Sequence, residues 1–173
     1  AGRSWVNVDT QLPNRLVVEA LARGLVPELA GYANVRAEVR CGDHRFDAQL
    51  TDPDGQRPVC WVEVKNVTLR DGDVARFPDS PSERGRKHLD LLAERVAAGE
   101  RAVLLPFVAR ADCRAFAAAP AIDPQWAAAL ERAANAGVEV LPWRVRIDRQ
   151  SIRLDQALPW ARDSVDQGAV GEA

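Results

Sequence analysis

The run Ala102-Val103-Leu104-Leu105-Pro106-Phe107-Val108 shows no alternation of apolar and polar residues. A strand of this kind is fully buried, which requires a sheet covered by other layers. The chain supplies the cover. Leu12-Pro13-Asn14-Arg15 opens a helical stretch with Leu16, Val17, Ala20 and Leu21 on one face and Gly24 as its stop. Ser80 reads as an N-cap, with Pro81 at the first helical position and Glu83 completing a capping box, for a helix running to about Ala98. Residues 124–136 form an alanine-rich amphipathic helix closed by Gly137. Strand patterns occupy residues 35–41, 45–50 and 59–67, separated by Gly42-Asp43 and Asp52-Pro53-Asp54-Gly55, both turn chemistry. Residues 68–79 read as an irregular loop, 138–145 as a strand, 152–154 as an edge strand and 161–173 as a disordered tail. The order is α-β-β-β-α-β with an appended α-β. A three-stranded meander is followed by a helix that crosses to the buried strand, so the expected fold is an α/β sandwich around a mixed sheet, one domain over residues 1–160.

Charge and cysteine usage narrow the partners. A net charge of −2 and a pI near 5.8 argue against a general nucleic-acid-coating surface, and they leave room for a local basic groove. No apolar run approaches a membrane span and no signal-peptide pattern opens the chain. Cys41, Cys60 and Cys113 are odd in number and lack a CxxC pair, which suits free thiols in a reducing cytoplasm. A zinc site from Cys41, His44 and Cys60 would lack a paired motif and a fourth ligand. Methionine is absent, even as initiator, so the sequence reads as a trimmed piece of something longer.

Of 23 basic residues only Lys65 and Lys87 are lysines. In an arginine-rich chain, a retained lysine marks a place where a compact ammonium is not replaceable by a planar guanidinium. Strand alternation puts Trp61, Glu63 and Lys65 on one face, opposite Cys60, Val62 and Val64. On the preceding strand Asp47 points opposite to Phe46 and Ala48, so an antiparallel pairing brings Asp47 beside Glu63 and Lys65. Two carboxylates and a lysine suit a hard cation such as Mg²⁺, which takes one or two protein carboxylates and keeps several waters. With the metal, Lys65 can orient a nucleophilic water or stabilise charge on phosphorus. The same residues also fit a plain Glu-Lys pair with Asp47 at a strand end. Glu19, bordering the apolar stripe of the first helix, either joins the metal or pairs with Arg15 at i,i+4. Arg84, Lys87 and His88 near the next helix start either contact phosphate or form a solvated face with a Glu83–Lys87 salt bridge. His44, beside a Gly-Asp turn, reads as structural or exposed.

The blocks Arg45-Phe46-Asp47, Val62-Glu63-Val64-Lys65-Asn66-Val67-Thr68-Leu69, Ala75-Arg76-Phe77-Pro78-Asp79 and Glu83-Arg84-Gly85-Arg86-Lys87-His88-Leu89 closely resemble the sugar fermentation stimulation protein family. The likeness continues through Arg101-Ala102-Val103-Leu104-Leu105, Ile122-Asp123-Pro124 and Gly137-Val138-Glu139-Val140, covering most of residues 5–160. It implies a PD-(D/E)xK nuclease-like domain, a restriction-endonuclease-like core, that here begins near the junction with an N-terminal OB-fold domain lying outside the sequence. It also implies that Asp47 and Glu63 bind Mg²⁺ or Mn²⁺, that Lys65 is the catalytic lysine, that Glu19 matches the first-helix acid, and that Lys87 and His88 match the family's Lys-His pair. Phe46 stands where the superfamily signature has proline. The expected function is metal-dependent phosphodiester hydrolysis on nucleic acid, DNA before RNA. The alternative is a non-catalytic DNA-binding protein in the regulation of sugar metabolism, and a purely structural domain is a third reading.

Overall fold

The structure, a computed structural model, describes residues 11–162 together with Val6 and Asp9. Helix α1 spans Leu12–Ala22, and the Asp9 carboxylate accepts from the Gln11 and Leu12 amides at its start. The meander follows as β1 (Asn34–Cys41), β2 (His44–Thr51) and β3 (Cys60–Val67). Helix α2 (Glu83–Ala97) then crosses to β6 (Arg101–Val108), which lies parallel to β3 in unbroken register from Cys60↔Arg101 to Val67↔Val108. Helix α3 (Pro124–Asn135) leads to β8 (Glu139–Val140), β9 (Trp143–Ile147) and β10 (Ile152–Ala157). Among the described residues the main sheet runs β1-β2-β3-β6-β9-β10, with β8 also pairing β6. No helix among them is long and apolar enough to cross a membrane.

The central strand lacks alternation because both of its faces are covered. Val103, Leu105 and Phe107 join Val17, Ala20 and Leu21 of α1 in one core cluster. Ala102, Leu104 and Val108 join Leu89 and Leu92 of α2 and Trp126 and Leu130 of α3 in the other. The two helices on that second face approach closely at Gly85, where a Cβ would stand 2.7 Å from Ser82 Oγ and 3.0 Å from Trp126 Nε1.

The structure corrects four details. Residues 68–79 are not an irregular loop: they hold the hairpin β4 (Leu69–Asp71) and β5 (Val74–Phe77), joined by Gly72 at φ 59. This left-handed glycine is what a two-residue hairpin turn requires. Strand β5 pairs in parallel with β7 (Ala115–Ala118), forming a second sheet from strands too short to show alternation. Helix α2 starts two residues later than its Ser-Pro-x-Glu pattern suggests. Ser82 is the N-cap, accepting from Gly85 N at 3.0 Å, and its own amide is fixed by the Asp123 carboxylate at 2.8 Å. The strand over 138–145 is broken at Leu141-Pro142, since proline has no N–H to continue a ladder. Ala161 and Arg162 belong to the ordered body: Ala161 N donates to Phe116 O at 2.8 Å, and Arg162 pairs with Glu131 at 3.1 Å. Residues 163–173 lie outside the described residues.

Candidate functional site

The site lies where the meander comes apart. The β2–β3 ladder pairs Leu50↔Cys60, Gln49↔Trp61 and Ala48↔Val62 and ends there. Asp47 takes over by side chain: its Oδ2 accepts from Val64 N at 2.7 Å, and its Oδ1 accepts from Asn14 Nδ2 of α1 at 2.5 Å. Across the β1–β2 pair from Asp47, Glu38 adopts φ 52, a left-handed backbone rare for a residue with a Cβ. The layer assignment switches at this point. Ala48 belongs to the α1-side core, whereas Phe46 packs on Trp61 in the α2-side core, ring centroids 5.2 Å apart. The expected common face for Phe46 and Ala48 is therefore not found, because the backbone turns over at Asp47. The parting strands open a cleft of about 800 Å³, whose walls include His44, Asp47, Glu63, Arg84, Lys87 and His88. A second cleft of about 510 Å³ shares Asn14, Glu38 and Asp47 with it.

Glu63 is the buried centre, only 3% exposed. Lys65 Nζ donates to its Oε1 at 2.7 Å, and His88 Nδ1 makes a very short hydrogen bond to the same oxygen. The other contacts of the ring are cationic: Lys65 Nζ lies 2.9 Å from His88 Nδ1, and Arg84 Nε lies 3.3 Å from His88 Nε2. The other carboxylate oxygen, Oε2, stands 3.5 Å from His44 Nε2, and both atoms are buried without a hydrogen-bond partner. Burial alone would raise the Glu63 carboxyl. The His88 hydrogen bond and the Lys65 charge overcome it and hold the group at about 2. Asp47 goes the other way: burial, then the neighbouring Glu63 charge, push it up to about 6 against the Val64 amide and Lys65. Two carboxylates in one cleft thus have opposite tendencies, a pattern typical of sites that handle charge. His44 is held below its ordinary range, first by burial and then by His88, whose ring centroid is 4.2 Å away.

Asp47, Glu63 and Lys65 are brought together as the strand pattern suggests, and Arg84 reaches the cleft. Other expected residues are placed differently. Glu19 does not reach the cleft; it is exposed and pairs with Arg23 at 3.2 Å. The residue of α1 that does touch Asp47 is Asn14, five positions earlier and about 140° around the helix, which turns Glu19 away. Lys87 and His88 do not act as a unit. Lys87 is exposed at the rim and paired with Glu83 at 2.8 Å, while His88 is buried against Glu63. His44, read as structural or exposed, turns out to sit beside Glu63. Its signal was its position three residues before Asp47, but nothing in the local pattern shows that α2 closes over it. Cys41 and Cys60 lie in different core clusters, so no site joins them with His44, and all three cysteines are free.

Comparisons with known proteins agree with one another. Residues 11–151 match the family profile described as the sugar fermentation stimulation protein RE domain. The sugar fermentation stimulation protein homologs of Citrifermentans bemidjiense and Caulobacter vibrioides are 48% and 44% identical to this chain over 160 and 162 residues. Each alignment takes in 92% of this chain, and 68% and 67% of those proteins respectively. A solved structure titled as Pyrococcus furiosus SfsA in complex with Ca²⁺ superposes with a TM-score of 0.82 at 29% identity, covering 90% of this chain and 67% of that one.

Proposed function

Because the chain belongs to the sugar fermentation stimulation protein family, we propose that its cleft hydrolyses phosphodiester bonds of nucleic acid with a divalent cation held by Asp47 and Glu63. The observation that carries the reading is that Asp47 and Glu63 line one cleft where β2 and β3 part, with Lys65 Nζ 2.7 Å from Glu63 Oε1 and Glu63 Oε2 left as a buried acceptor without a partner. The donor set fits a cation. Both Asp47 oxygens already accept one hydrogen bond, yet each keeps a second lone pair. The Ca²⁺ named for the Pyrococcus furiosus protein is a hard cation that oxygen ligands suit, as are Mg²⁺ and Mn²⁺.

When bound, Mg²⁺ or Mn²⁺ supplies Lewis-acid polarisation of a phosphate oxygen and a water acidified towards hydroxide. The chain's own groups do the remainder. Lys65 Nζ, held by Glu63, is a point charge for the attacking water or for the negative charge that grows on the phosphate oxygens. Arg84 and, at the rim, Lys87 offer positive charge to the flanking backbone phosphates. Asn14 and the Val64 amide fix the orientation of Asp47. DNA is the favoured substrate, and the free thiols suit a reducing compartment such as the cytoplasm.

A non-catalytic DNA-binding module is the competing reading. What favours it is that Lys65 is already within hydrogen-bond distance of Glu63, as in an ion pair that only stabilises the fold. Cleavage of labelled single- and double-stranded DNA and RNA in Mn²⁺, Mg²⁺ or EDTA decides between them. Metal-dependent cleavage supports the nuclease; intact substrate retained by folded protein in a mobility-shift assay supports the binder. Glu19 serves as an internal control. Glu19→Ala is expected to leave the cleavage rate within about twofold and stability within about 0.5 kcal/mol, as for an exposed helix pair. A rate loss of a hundredfold in that assay would restore Glu19 to the site.

A further inference from the structure

We propose that the cation site includes imidazole nitrogen, with His44, Glu63 and His88 as ligands, and that it therefore takes a borderline ion such as Mn²⁺ or Co²⁺ in preference to Mg²⁺ or Ca²⁺. The inference rests on the reading that the cleft holds a divalent cation, and it adds ligands that the carboxylate pair does not provide.

Three observations carry it. A ligand atom from each of His44, Glu63 and His88 lies within 4.8 Å of the others. His44 Nε2 and Glu63 Oε2 face one another at 3.5 Å, both buried and both without a hydrogen-bond partner. That gap is too long and too poorly directed for an N–H···O bond. It is the separation expected of two ligands that each bind one ion at about 2.1 Å with a near-tetrahedral angle between them. Finally, His88 Nδ1 lies against Glu63 Oε1, so the second imidazole faces the same carboxylate that His44 faces from the other oxygen.

Selectivity follows from donor type. Mg²⁺ and Ca²⁺ take oxygen ligands and gain little from imidazole, whereas affinity for nitrogen donors rises from Mn²⁺ through Co²⁺. Two histidines beside a carboxylate raise the affinity for the later ions most. Asp47 lines the same cleft and would remain available as an oxygen donor. The competing account is a purely structural polar cluster, in which His44 is retained for its edge contact with Phe46 at 4.6 Å.

The test uses the full chain, stripped with EDTA, and reads binding rather than turnover. Co²⁺ is followed by its visible absorption, and Mn²⁺, Mg²⁺ and Ca²⁺ are followed by calorimetric titration. Wild type is expected to bind Co²⁺ with the absorption of a nitrogen-ligated ion, and Mn²⁺ about tenfold or more tighter than Mg²⁺. His44→Ala should weaken Co²⁺ and Mn²⁺ by about 10–100-fold and leave Mg²⁺ within about threefold. Should that variant lose its cooperative melt, His44→Asn keeps a polar group of smaller size and substitutes an oxygen donor. It is then expected to narrow the gap between Mn²⁺ and Mg²⁺. Unchanged Co²⁺ and Mn²⁺ affinities in a folded His44 variant would overturn the proposal while the nuclease reading stood, its cations being held by carboxylates alone. Failure of folded wild type to bind any of the four ions, together with no cleavage, would sink both.

Discussion

Asp47→Asn and Lys65→Ala are expected to reduce metal-dependent cleavage alike, by at least about 100-fold, and to move the melting temperature in opposite directions. On the proposed function, loss of activity follows from removing a cation ligand in one variant and a charge that stabilises the phosphate in the other. The divergence in stability follows from the two carboxylates. Asp47 sits at about 6 in the folded chain, well above the ordinary value of 3.8. A group whose folded value is raised in this way destabilises the fold as pH climbs from about 4 to about 6, and the full penalty is present at neutral pH. The isosteric amide at position 47 cannot ionise. It still accepts from Val64 N, and Asn14 can turn its own amide to complement it. After allowance for the part of the carboxylate that faces the cleft, the gain is about 1–2 kcal/mol, or roughly 3–6 °C.

Glu63 behaves in the opposite sense. Its folded value near 2 lies below the ordinary 4.5, so its stabilising contribution is present above about 4.5 and is lost as pH falls towards 2. Much of that contribution comes from His88 and Lys65. Lys65→Ala leaves a buried carboxylate short of positive charge, at a cost of about 2–3 kcal/mol. Calorimetric melts in EDTA between pH 4 and pH 8 separate the cases. The Asp47→Asn gain should shrink as pH is lowered through 6, and the Lys65→Ala loss should persist at neutral pH. A lower melting temperature for Asp47→Asn at pH 7.5 would mean that the contacts to Asn14 and Val64 outweigh the desolvation of the charge.

Asp123→Ala is expected to destabilise the chain by about 3–4 kcal/mol. This buried carboxylate caps α3 through Trp126 N at 2.8 Å, fixes Ser82 N at 2.8 Å and pairs with Arg86 at 3.1 Å. The losses are an N-cap, a part-buried amide left without an acceptor and a half-buried arginine left without its partner. Asp123→Asn retains one acceptor oxygen and should recover about half of the loss. Because Ser82 is the N-cap of α2, the truncation also loosens the helix that carries Arg84 and His88. Cleavage should therefore fall about tenfold even at temperatures where the variant remains folded. Urea unfolding together with cleavage below the melt checks both effects. A destabilisation under 1 kcal/mol would show that water replaces the carboxylate at both amides.

How much of this was legible depended on whether the deciding force was local. Glu63 and Lys65 could be placed on one face because β3 keeps its period of two from Cys60 to Val64. Asp47 could be placed beside them because a hairpin of that length fixes its register. The reversal between Phe46 and Ala48 could not, since it depends on a left-handed Glu38 in the neighbouring strand and on Asn14 in a distant helix. His44 and His88 were visible as histidines, but their burial against Glu63 arises only when α2 closes over the β2–β3 gap. The phase of α1 was set by its apolar residues, and those leave Glu19 at the border of the stripe, where a rotation of one position decides whether it faces the sheet or water. The short hairpin β4–β5 carried an Asp-Gly-Asp signal for its turn, but its strands are too brief for a pattern.

The parallel pairing of β3 with β6 has a consequence in time. Residues 60 and 101 meet only after the whole intervening crossover, α2 included, has been laid across the sheet. Non-local pairings of this sort form slowly, since a large loop must close before any contact rewards it. The β1–β2–β3 meander, built from neighbours in sequence, can assemble earlier and would hold Asp47 and Glu63 before His88 and Arg84 arrive. On the ribosome, a chain released only through β3 thus carries the two acids without the helix that completes their surroundings. The surroundings of Glu63 are completed by a non-local step of folding, and a chain released only through β3 lacks His88 and Arg84 beside the two acids.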